Sequence, residues 1–200
     1  MRNRLALPVA VLLALVTACS TQVTAGADNG PTLSSPSIVD GPVTAITPLP
    51  LSNPVELRID QINASSTLVP LGLNPDQTVE VPPVPQPLQA GWYKLGPTPG
   101  ALGPAVILGH INGGGQGIFA RLHELKPGDQ VKVTREDGKT ALFTVTKLEQ
   151  VSKDSFPTQQ VYGDAPAAEL RLITCGGGFD RSKHSYVDNI VVFATLTGVA

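Results

Sequence analysis

Cysteine is scarce in this chain, with only Cys19 and Cys175 among 200 residues. Cys19 lies in an N-terminal segment that has the features of an export signal, so no disulfide framework is available. Cys175 ends an apolar run, residues 170–174, and three glycines follow it at 176–178. A thiol that no disulfide framework explains, at the end of a strand-like run, is a candidate nucleophile.

Charged side chains and aromatic rings are also few. They make up 15% and 4% of the chain, and the formal net charge is −2. Nucleic-acid-binding domains show a basic stripe or an aromatic platform, and neither is visible here. Two cysteines and scattered histidines do not have the spacing of zinc ligands, and no acidic cluster suggests calcium. We therefore expect no nucleic-acid partner, no metal and no cofactor.

The N-terminus has the pattern of a bacterial export signal. Arg2 and Arg4 precede an apolar stretch, residues 5–18, which is shorter than the roughly 20 residues that a membrane-spanning helix needs. Small residues then lead into Cys19, an arrangement that resembles the lipobox of bacterial lipoproteins. The resemblance implies cleavage before Cys19, acylation of its side chain, and a mature protein anchored to the extracytoplasmic face of the cell membrane. The alternative is an ordinary secretory signal with a chance cysteine.

The segment after the signal differs in composition from the rest of the chain. Residues 20–52 are rich in Ser, Thr, Pro, Gly and Ala and show no sustained hydrophobic period. Such a segment does not bury enough apolar surface to offset the entropy lost when it is ordered. We predict a signal peptide over 1–18, a flexible tether over 20–52, and one folded domain over 53–200, a normal size for a single core.

Short strand-like segments fill the predicted domain, and no long amphipathic helix interrupts them. Alternation of apolar and polar residues predicts half-buried strands at 55–59, 79–81 and 130–134. Continuous apolar runs predict core strands of a closed or sandwich-like sheet at 105–108, 170–173 and 190–194.

Turn and helix signals complete the pattern. The Asp-Gly pair at 137–138 predicts a tight hairpin between segments 131–134 and 141–145, because this pair tolerates positive φ. Two segments are candidates for short helices: 117–125, whose apolar residues have helical spacing, and 87–92. The domain is therefore predicted to be mainly β.

Two strand ends carry the residues with catalytic potential. His110 closely follows the run 105–108 and precedes a glycine-rich loop, much as Cys175 does. An imidazole beside a thiol can hold the thiolate and protonate a leaving amine, while backbone N–H groups or an arginine stabilise the oxyanion. The alternatives are a Cys175 that serves as a small buried apolar residue, and a His110 that is a surface or hydrogen-bonded side chain.

Several motifs resemble those of sortases. Leu-Ile-Thr-Cys at 172–175 resembles the Leu-x-Thr-Cys signature, and Ile-Leu-Gly-His at 107–110 resembles the element that presents the catalytic histidine. Further matches to the actinobacterial class F or class E branch run from about residue 54 to 197: Gly91-Trp92-Tyr93, Pro99-Gly100, Gly103–Ile107, Phe119 with Leu122, Gly128-Asp129 with Val131, and Phe179-Asp180. The resemblance implies a closed eight-stranded β-barrel with one or two short helices.

The resemblance also implies a mechanism. Cys175 is the nucleophile that cleaves the Thr–Gly bond of a Leu-Pro-x-Thr-Gly-like sorting signal on a surface protein, forming a thioester. His110 is the acid–base partner, and an amine of a peptidoglycan precursor or pilin accepts the acyl group. Thr174 is a candidate for shaping the oxyanion pocket, or is simply a β-branched strand residue.

One sortase feature is missing from its usual place. Sortases carry an arginine at the start of the strand after the cysteine loop, and here that strand begins with Asp-Asn-Ile at 188–190. In sortases this arginine aligns the sorting signal and helps to stabilise the oxyanion, and Arg181, the only arginine after Cys175, is the candidate for that role here. The alternative is a solvated loop residue paired with Asp180, in which case Asn189 offers a hydrogen bond without the positive charge.

Two other functions compete with sortase turnover. An L,D-transpeptidase of cell-wall stem peptides is also exported and also uses Cys and His, but it normally has a Ser-x-Gly-Cys motif, whereas residues 173–177 are Ile-Thr-Cys-Gly-Gly. A sortase-like lipoprotein that only docks peptides, having lost turnover with its arginine, is the second alternative.

Overall fold

The computed structural model describes residues 46–200, and strands dominate this part of the chain. The eight strands are β1 (Pro54–Ile59), β2 (Ala64–Leu71), β3 (Ala90–Tyr93), β4 (Gly103–Gly109), β5 (Gln130–Arg135), β6 (Thr140–Ser152), β7 (Ala168–Asp180) and β8 (Ser185–Val199). The described residues also form one α-helix, α1 (Thr158–Tyr162), and three 3₁₀ turns, at Asp60–Ile62, Leu122–Glu124 and Lys153–Ser155. The predicted signal peptide and Cys19 lie outside the described residues. In the described part, no helix has the length and apolar character that crossing a membrane requires.

The strands close into a barrel in the order β1, β2, β3, β4, β7, β8, β6, β5, and β5 pairs with β1. The β2–β3 and β4–β7 pairs are parallel, and the other pairs are antiparallel. Closure gives every strand a partner on both sides, which leaves no open sheet edge. The predicted eight-stranded closed barrel with short helices is confirmed.

The strands with continuous apolar sequences are covered on both faces. In β4, Ile107 belongs to the barrel interior, while its neighbour Val106 belongs to a second apolar cluster on the outside. The buried members of this outer cluster are Val106, Val161, Ile173, Val191 and Phe193. In β5, by contrast, Val131 and Val133 are buried in the interior, and the residues between them are more exposed. One-sided burial explains why β5 alternates in sequence and β4 does not.

The β5–β6 hairpin has the predicted tight turn, in which Gly138 has a φ of 79°. The turn is held by Arg135, whose side chain is buried. Its guanidinium donates to the carbonyl oxygens of Pro99 and Pro50, both at 2.6 Å, and to the Asp137 carboxylate at 2.9 Å. One cation therefore ties the hairpin to a loop and to the N-terminal segment.

The first described residues pack on the barrel. Ile46 N donates to Leu196 O at 3.3 Å, and Leu49 N donates to Gly100 O at 2.7 Å. Both apolar side chains pack against the interior cluster. The folded part of the chain therefore begins before residue 53, where the sequence analysis placed its start.

Two of the predicted local structures are wrong. Residues 79–81 form no regular strand but a single bridge between Leu73 and Val79, and Val81 is exposed. Residues 87–92 form no helix, because the chain from Ala90 onward is β3 and pairs with both β2 and β4. Long-range strand pairing thus decided the structure of the second segment, whereas the first makes only a local bridge.

The predicted short helix at 117–125 is correct in its buried residues but not in its helix type. Ile118, Leu122 and Leu125 are all buried in the interior cluster. Backbone bonds in segment 117–125 join residues three apart, such as Leu122 N to Phe119 O at 3.1 Å, so the segment forms consecutive tight turns. Two further elements were not predicted: β2, which is rich in Ser and Thr, and α1, which buries only Val161.

Candidate active site

β4 and β7 end side by side, and their ends carry the predicted catalytic residues. The two strands are parallel and are registered up to Leu108 opposite Ile173. His110 and Cys175 each stand two residues beyond this pair, so they occupy equivalent positions on chains about 4.8 Å apart. Leu108 and Ile173 both pack in the outer cluster, so alternation directs His110 and Cys175 to the same outer face. The strand register therefore puts the two residues at neighbouring strand ends of the barrel.

Cys175 is half-buried on β7, opposite Asn189 of β8. The β7 strand bulges just after it. Gly177, in the bulge, has a φ of 71°, and a Cβ at this position would collide with the Asp188 carboxylate. The glycines after Cys175 therefore allow β7 to lie close to β8 at the bulge, where a larger residue would collide with Asp188.

His110 is held by contacts on its ring and on its backbone. Its Nε2 lies 2.7 Å from the carbonyl oxygen of Pro82 in the β2–β3 connection. A carbonyl only accepts, so Nε2 carries the hydrogen and Nδ1 is left for proton exchange. The His110 carbonyl accepts from Phe119 N at 3.0 Å, and a Cβ on Gly117 would collide with that carbonyl. The glycine-rich loop after His110 thus folds back and fixes its position.

Lys153, which the sequence analysis missed, contacts the candidate nucleophile. Its Nζ lies 3.5 Å from Cys175 Sγ and 3.0 Å from Ser185 Oγ. Lys153 follows directly after β6, and β8 lies between β6 and β7 in the barrel. No motif or spacing marks this lysine in the sequence, because only the strand order brings it to the sulfur.

Thr174 and Asn189 take different sides of the sheet. Thr174 alternates with Cys175 and pairs with Ile190, so its side chain belongs to the barrel interior. It is buried, and its Oγ1 has no hydrogen-bond partner. Asn189 faces Cys175 directly across the β7–β8 pair, where opposite Cβ atoms lie about 5 Å apart. Asn189 therefore shares the outer face with the sulfur, and Thr174 does not.

Arg181 is exposed in the turn 181–184 that joins β7 to β8. Arg181 is six positions beyond Cys175, which corresponds to at most roughly 20 Å of extended chain. Asp180 does not pair with it, since that carboxylate accepts from the Ser182 hydroxyl and backbone, which lowers the pKa of Asp180. The structure does not bring Arg181 to the sulfur, and its catalytic role stays a prediction.

The loop after His110 is joined to the part of the β7–β8 hairpin that lies beyond Cys175. Asn112 Nδ2 donates to Tyr186 Oη at 2.6 Å, and the Tyr186 ring packs edge-on against Phe179 with centroids 5.2 Å apart. Phe179 and Val187 are both exposed there. Within residues 46–200 no three His, Cys, Asp or Glu side chains gather as metal ligands. The described site therefore consists of a half-buried thiol in contact with an ammonium, an imidazole at the neighbouring strand end, and exposed apolar side chains on the β7–β8 hairpin.

Comparison with protein-family models matches residues 57–197 to the sortase domain. The chain belongs to the sortase family. Residues 57–197 cover the barrel from β1 to β8, including both strand ends that carry His110 and Cys175. None of the curated protein sequences matches this sortase.

Solved sortases share the fold of this one. Sortase C1 of Streptococcus agalactiae, in complex with MTSET, is 15% identical with a TM-score of 0.56, over 72% of this chain and 66% of that chain. Sortase A from Corynebacterium diphtheriae is 20% identical with a TM-score of 0.55, over 74% and 61%. Sortase C-1 from Actinomyces oris is 18% identical with a TM-score of 0.57, over 72% and 73%. This chain thus spans slightly less than two thirds of the first two chains, and at these identities the likeness shows the fold alone.

Proposed function

We propose that this sortase is a cell-surface cysteine transpeptidase that cleaves a Leu-Pro-x-Thr-Gly-like sorting signal and transfers the acyl group to an amine. The observation that carries the proposal is the parallel register of β4 and β7, which sets His110 and Cys175 on one outer face. The half-buried sulfur supports it further, because a sulfur sealed under side chains could not receive a peptide. Phe179 and Val187, which are exposed on the β7–β8 hairpin beyond Cys175, are apolar groups that suit the Leu and Pro of such a signal.

The first half-reaction forms a thioester. The Cys175 thiolate attacks the carbonyl carbon of the Thr–Gly bond, a C–S bond forms, and the carbonyl π electrons move to oxygen. When those electrons return, the C–N bond breaks and the imidazolium of His110 gives its Nδ1 proton to the leaving amine. The fragment that begins with glycine departs, and the sorted protein is held on the sulfur.

The second half-reaction returns the enzyme to its starting state. An amine attacks the thioester carbonyl, a C–N bond forms, and the amine loses a proton to His110. The C–S bond then breaks and the sulfur leaves as a thiolate. One amide has replaced another, so no oxidant, metal or cofactor is needed. The proposed acceptors are an amine of a peptidoglycan precursor or of a pilin.

The motif matches favour the actinobacterial class F or class E branch over other sortase classes. We also propose that Cys19 is lipidated, which would hold the enzyme on the extracytoplasmic face of the membrane, next to exported substrates. Mass spectrometry of the mature N-terminus tests this directly, since lipidation adds acyl mass at Cys19 and Cys19→Ser removes it. A mature chain with an unmodified N-terminus would contradict the anchor while leaving the transpeptidase proposal intact.

Two alternatives differ in how well they are supported. A lipoprotein that docks peptides without turnover is favoured by one observation, the exposed position of Arg181 far along the hairpin from the sulfur. An L,D-transpeptidase has no comparable support, because the domain matches the sortase family.

An acyl-adduct experiment separates turnover from docking. The full chain in detergent is incubated with internally quenched peptides that contain Leu-Pro-x-Thr-Gly, with and without an added amine. We expect cleavage, transfer to the amine, and an adduct on Cys175 whose intact mass equals the N-terminal peptide fragment. Cys175→Ala should be inactive, whereas Cys19→Ser, the matched loss of the other thiol, should retain cleavage. Peptide binding without any adduct or cleavage would support docking alone.

A further inference from the structure

We propose that Lys153 is the catalytic cation of this active site and that it holds the sulfur of Cys175 as a thiolate. The inference rests on the proposed role of Cys175 as nucleophile. It assigns to Lys153, which comes from the end of β6, the positive charge that Arg181 does not bring to the sulfur.

The contacts of Lys153 fix its ammonium group beside the sulfur. Nζ donates to Cys175 Sγ at 3.5 Å and to Ser185 Oγ at 3.0 Å. The Ser185 hydroxyl donates its own hydrogen to Tyr186 O at 3.2 Å, which leaves its oxygen as an acceptor for the lysine. An ammonium has three N–H donors, so one remains for the carbonyl oxygen of a bound acyl group.

Lys153 also differs in charge balance from the other partly buried lysines in residues 46–200. Lys132 pairs with the Asp60 carboxylate at 2.8 Å, and Lys147 pairs with that of Glu149 at 2.9 Å. Lys153 has no carboxylate oxygen within 4.0 Å among the described residues. An ammonium taken partly out of water is stabilised by an anion, and the group in contact that can become one is the Cys175 thiol.

Other charged groups near Lys153 do not supply that anion. Asp154, Asp180 and Lys183 line the same small hollow as Lys153. The Asp180 carboxylate accepts from Ser182 at 2.6 Å, and neither aspartate forms an ion pair with Lys153. Lys183 is exposed and makes no contact with the sulfur. The thiolate therefore takes the position that a carboxylate holds beside Lys132 and Lys147.

Alkylation of the single remaining thiol tests the charge directly. In the full chain with Cys19→Ser, Cys175 is the only thiol, and its rates with neutral iodoacetamide and anionic iodoacetate are measured at pH 7. We expect Lys153→Gln to lower the rate of alkylation by iodoacetamide by roughly threefold to tenfold, because a smaller fraction of Cys175 would be thiolate. The iodoacetate rate should fall further, so the ratio of the two rates should drop. Lys153→Arg should keep both rates within about threefold, since it retains the charge.

Lys183→Gln is the matched control, because it removes the same charge from the same hollow without a sulfur contact. It should change each rate by less than about twofold, since exposed charges are screened. Rates in Lys153→Gln that equal those of the parent would overturn the proposal. An equal loss of rate in Lys153→Arg and Lys153→Gln would also overturn it, because it would indicate a packing role. An equal loss of rate in Lys183→Gln would overturn it as well, because it would indicate a general electrostatic effect of nearby positive charges.

If Lys153→Gln does not fold, the salt dependence of the parent protein takes its place. The iodoacetate-to-iodoacetamide ratio should fall as NaCl rises from about 0.02 to 0.5 M, and a constant ratio would overturn the proposal. Alkylation needs no peptide, so this experiment is separate from turnover. A charge effect of Lys153 without peptide cleavage would support the ion pair and contradict the proposed sortase reaction. Peptide cleavage without the charge effect would support the sortase reaction and contradict the ion pair.

Discussion

Arg135 and Lys153 are two cations whose charges are balanced in different ways. Arg135 is buried, and its guanidinium meets two carbonyl oxygens and the Asp137 carboxylate. Lys153 is half-buried, and its ammonium meets a hydroxyl and a thiol. The first set of partners includes a carboxylate, whereas the second does not. The difference between the two cations is that Lys153 contacts a thiol and no carboxylate among the described residues, and the proposed role of Lys153 rests on this difference.

The largest expected effect tests whether residues at the proposed active site contribute to turnover without contributing to the stability of the fold. His110→Ala removes the proton-transfer group, so we expect peptide turnover to fall by about 100- to 10,000-fold with little change in the melting temperature. His123→Ala, an exposed histidine on the 3₁₀ turn Leu122–Glu124, is the matched control and should retain turnover. Turnover that survives His110→Ala would show that another group moves the proton.

The next effect tests the structural cation. Arg135→Met leaves the carbonyl oxygens of Pro99 and Pro50 without their donor, so the free energy of unfolding should fall by about 2–4 kcal/mol. Denaturant unfolding measures this change, and turnover per folded molecule should stay near that of the parent. Arg181→Met, which removes an exposed arginine, should change stability by less than about 0.5 kcal/mol. Equal losses in the two variants would break the comparison.

A pH experiment sharpens the role of the Arg135–Asp137 pair. The hydrogen bond from Arg135 lowers the pKa of Asp137 in the folded state. The stabilisation is therefore complete above the ordinary aspartate pKa, near 4, and is lost as the pH falls through the lowered value. Asp137→Asn should thus lose less stability than the parent between pH 6 and pH 2.5, measured by denaturant unfolding. In the Arg135→Met background the same substitution should have a smaller effect, since only the Lys139 contribution to the lowered pKa remains, and an undiminished difference there would assign the pH dependence to another group.

The smallest effect concerns the hydroxyl that positions Lys153. Ser185→Ala removes one acceptor from the ammonium but leaves its charge near the sulfur, so kcat/KM and the alkylation rate should fall by only about twofold to threefold. A loss as large as that of Lys153→Gln would mean that the hydroxyl itself acts on the substrate.

The strands that were predicted correctly are those whose own sequence has a clear hydrophobic pattern. β1, β4, β5 and the cores of β7 and β8 have alternating or continuous apolar sequences, and the Asp-Gly turn of the β5–β6 hairpin is equally visible. β3 was mistaken for a helix and β2 was missed, because their short or polar sequences become strands only through pairing with neighbours on both sides. The helix α1 was missed because its five residues bury one side chain.

The residues of the candidate site also fall into those that a local sequence pattern predicted and those that it did not. His110 and Cys175 were selected because each follows an apolar run and precedes glycines, a local signal. Lys153 carries no local signal, since it stands 22 residues before Cys175 in an unremarkable polar segment. Thr174 was selected for its neighbour in sequence, but strand alternation turns its side chain to the opposite face.

The sequence alone determined that the chain is mainly β, which runs lie in its core, and which thiol and imidazole stand at strand ends, since hydrophobic periodicity and turn residues act over a few positions. The tertiary structure decided that these two ends are neighbours, that Arg181 is carried away along a hairpin, and that a lysine from β6 crosses β8 to reach the sulfur. Contacts of that kind depend on strand order and register, which arise from pairing between segments far apart in the chain.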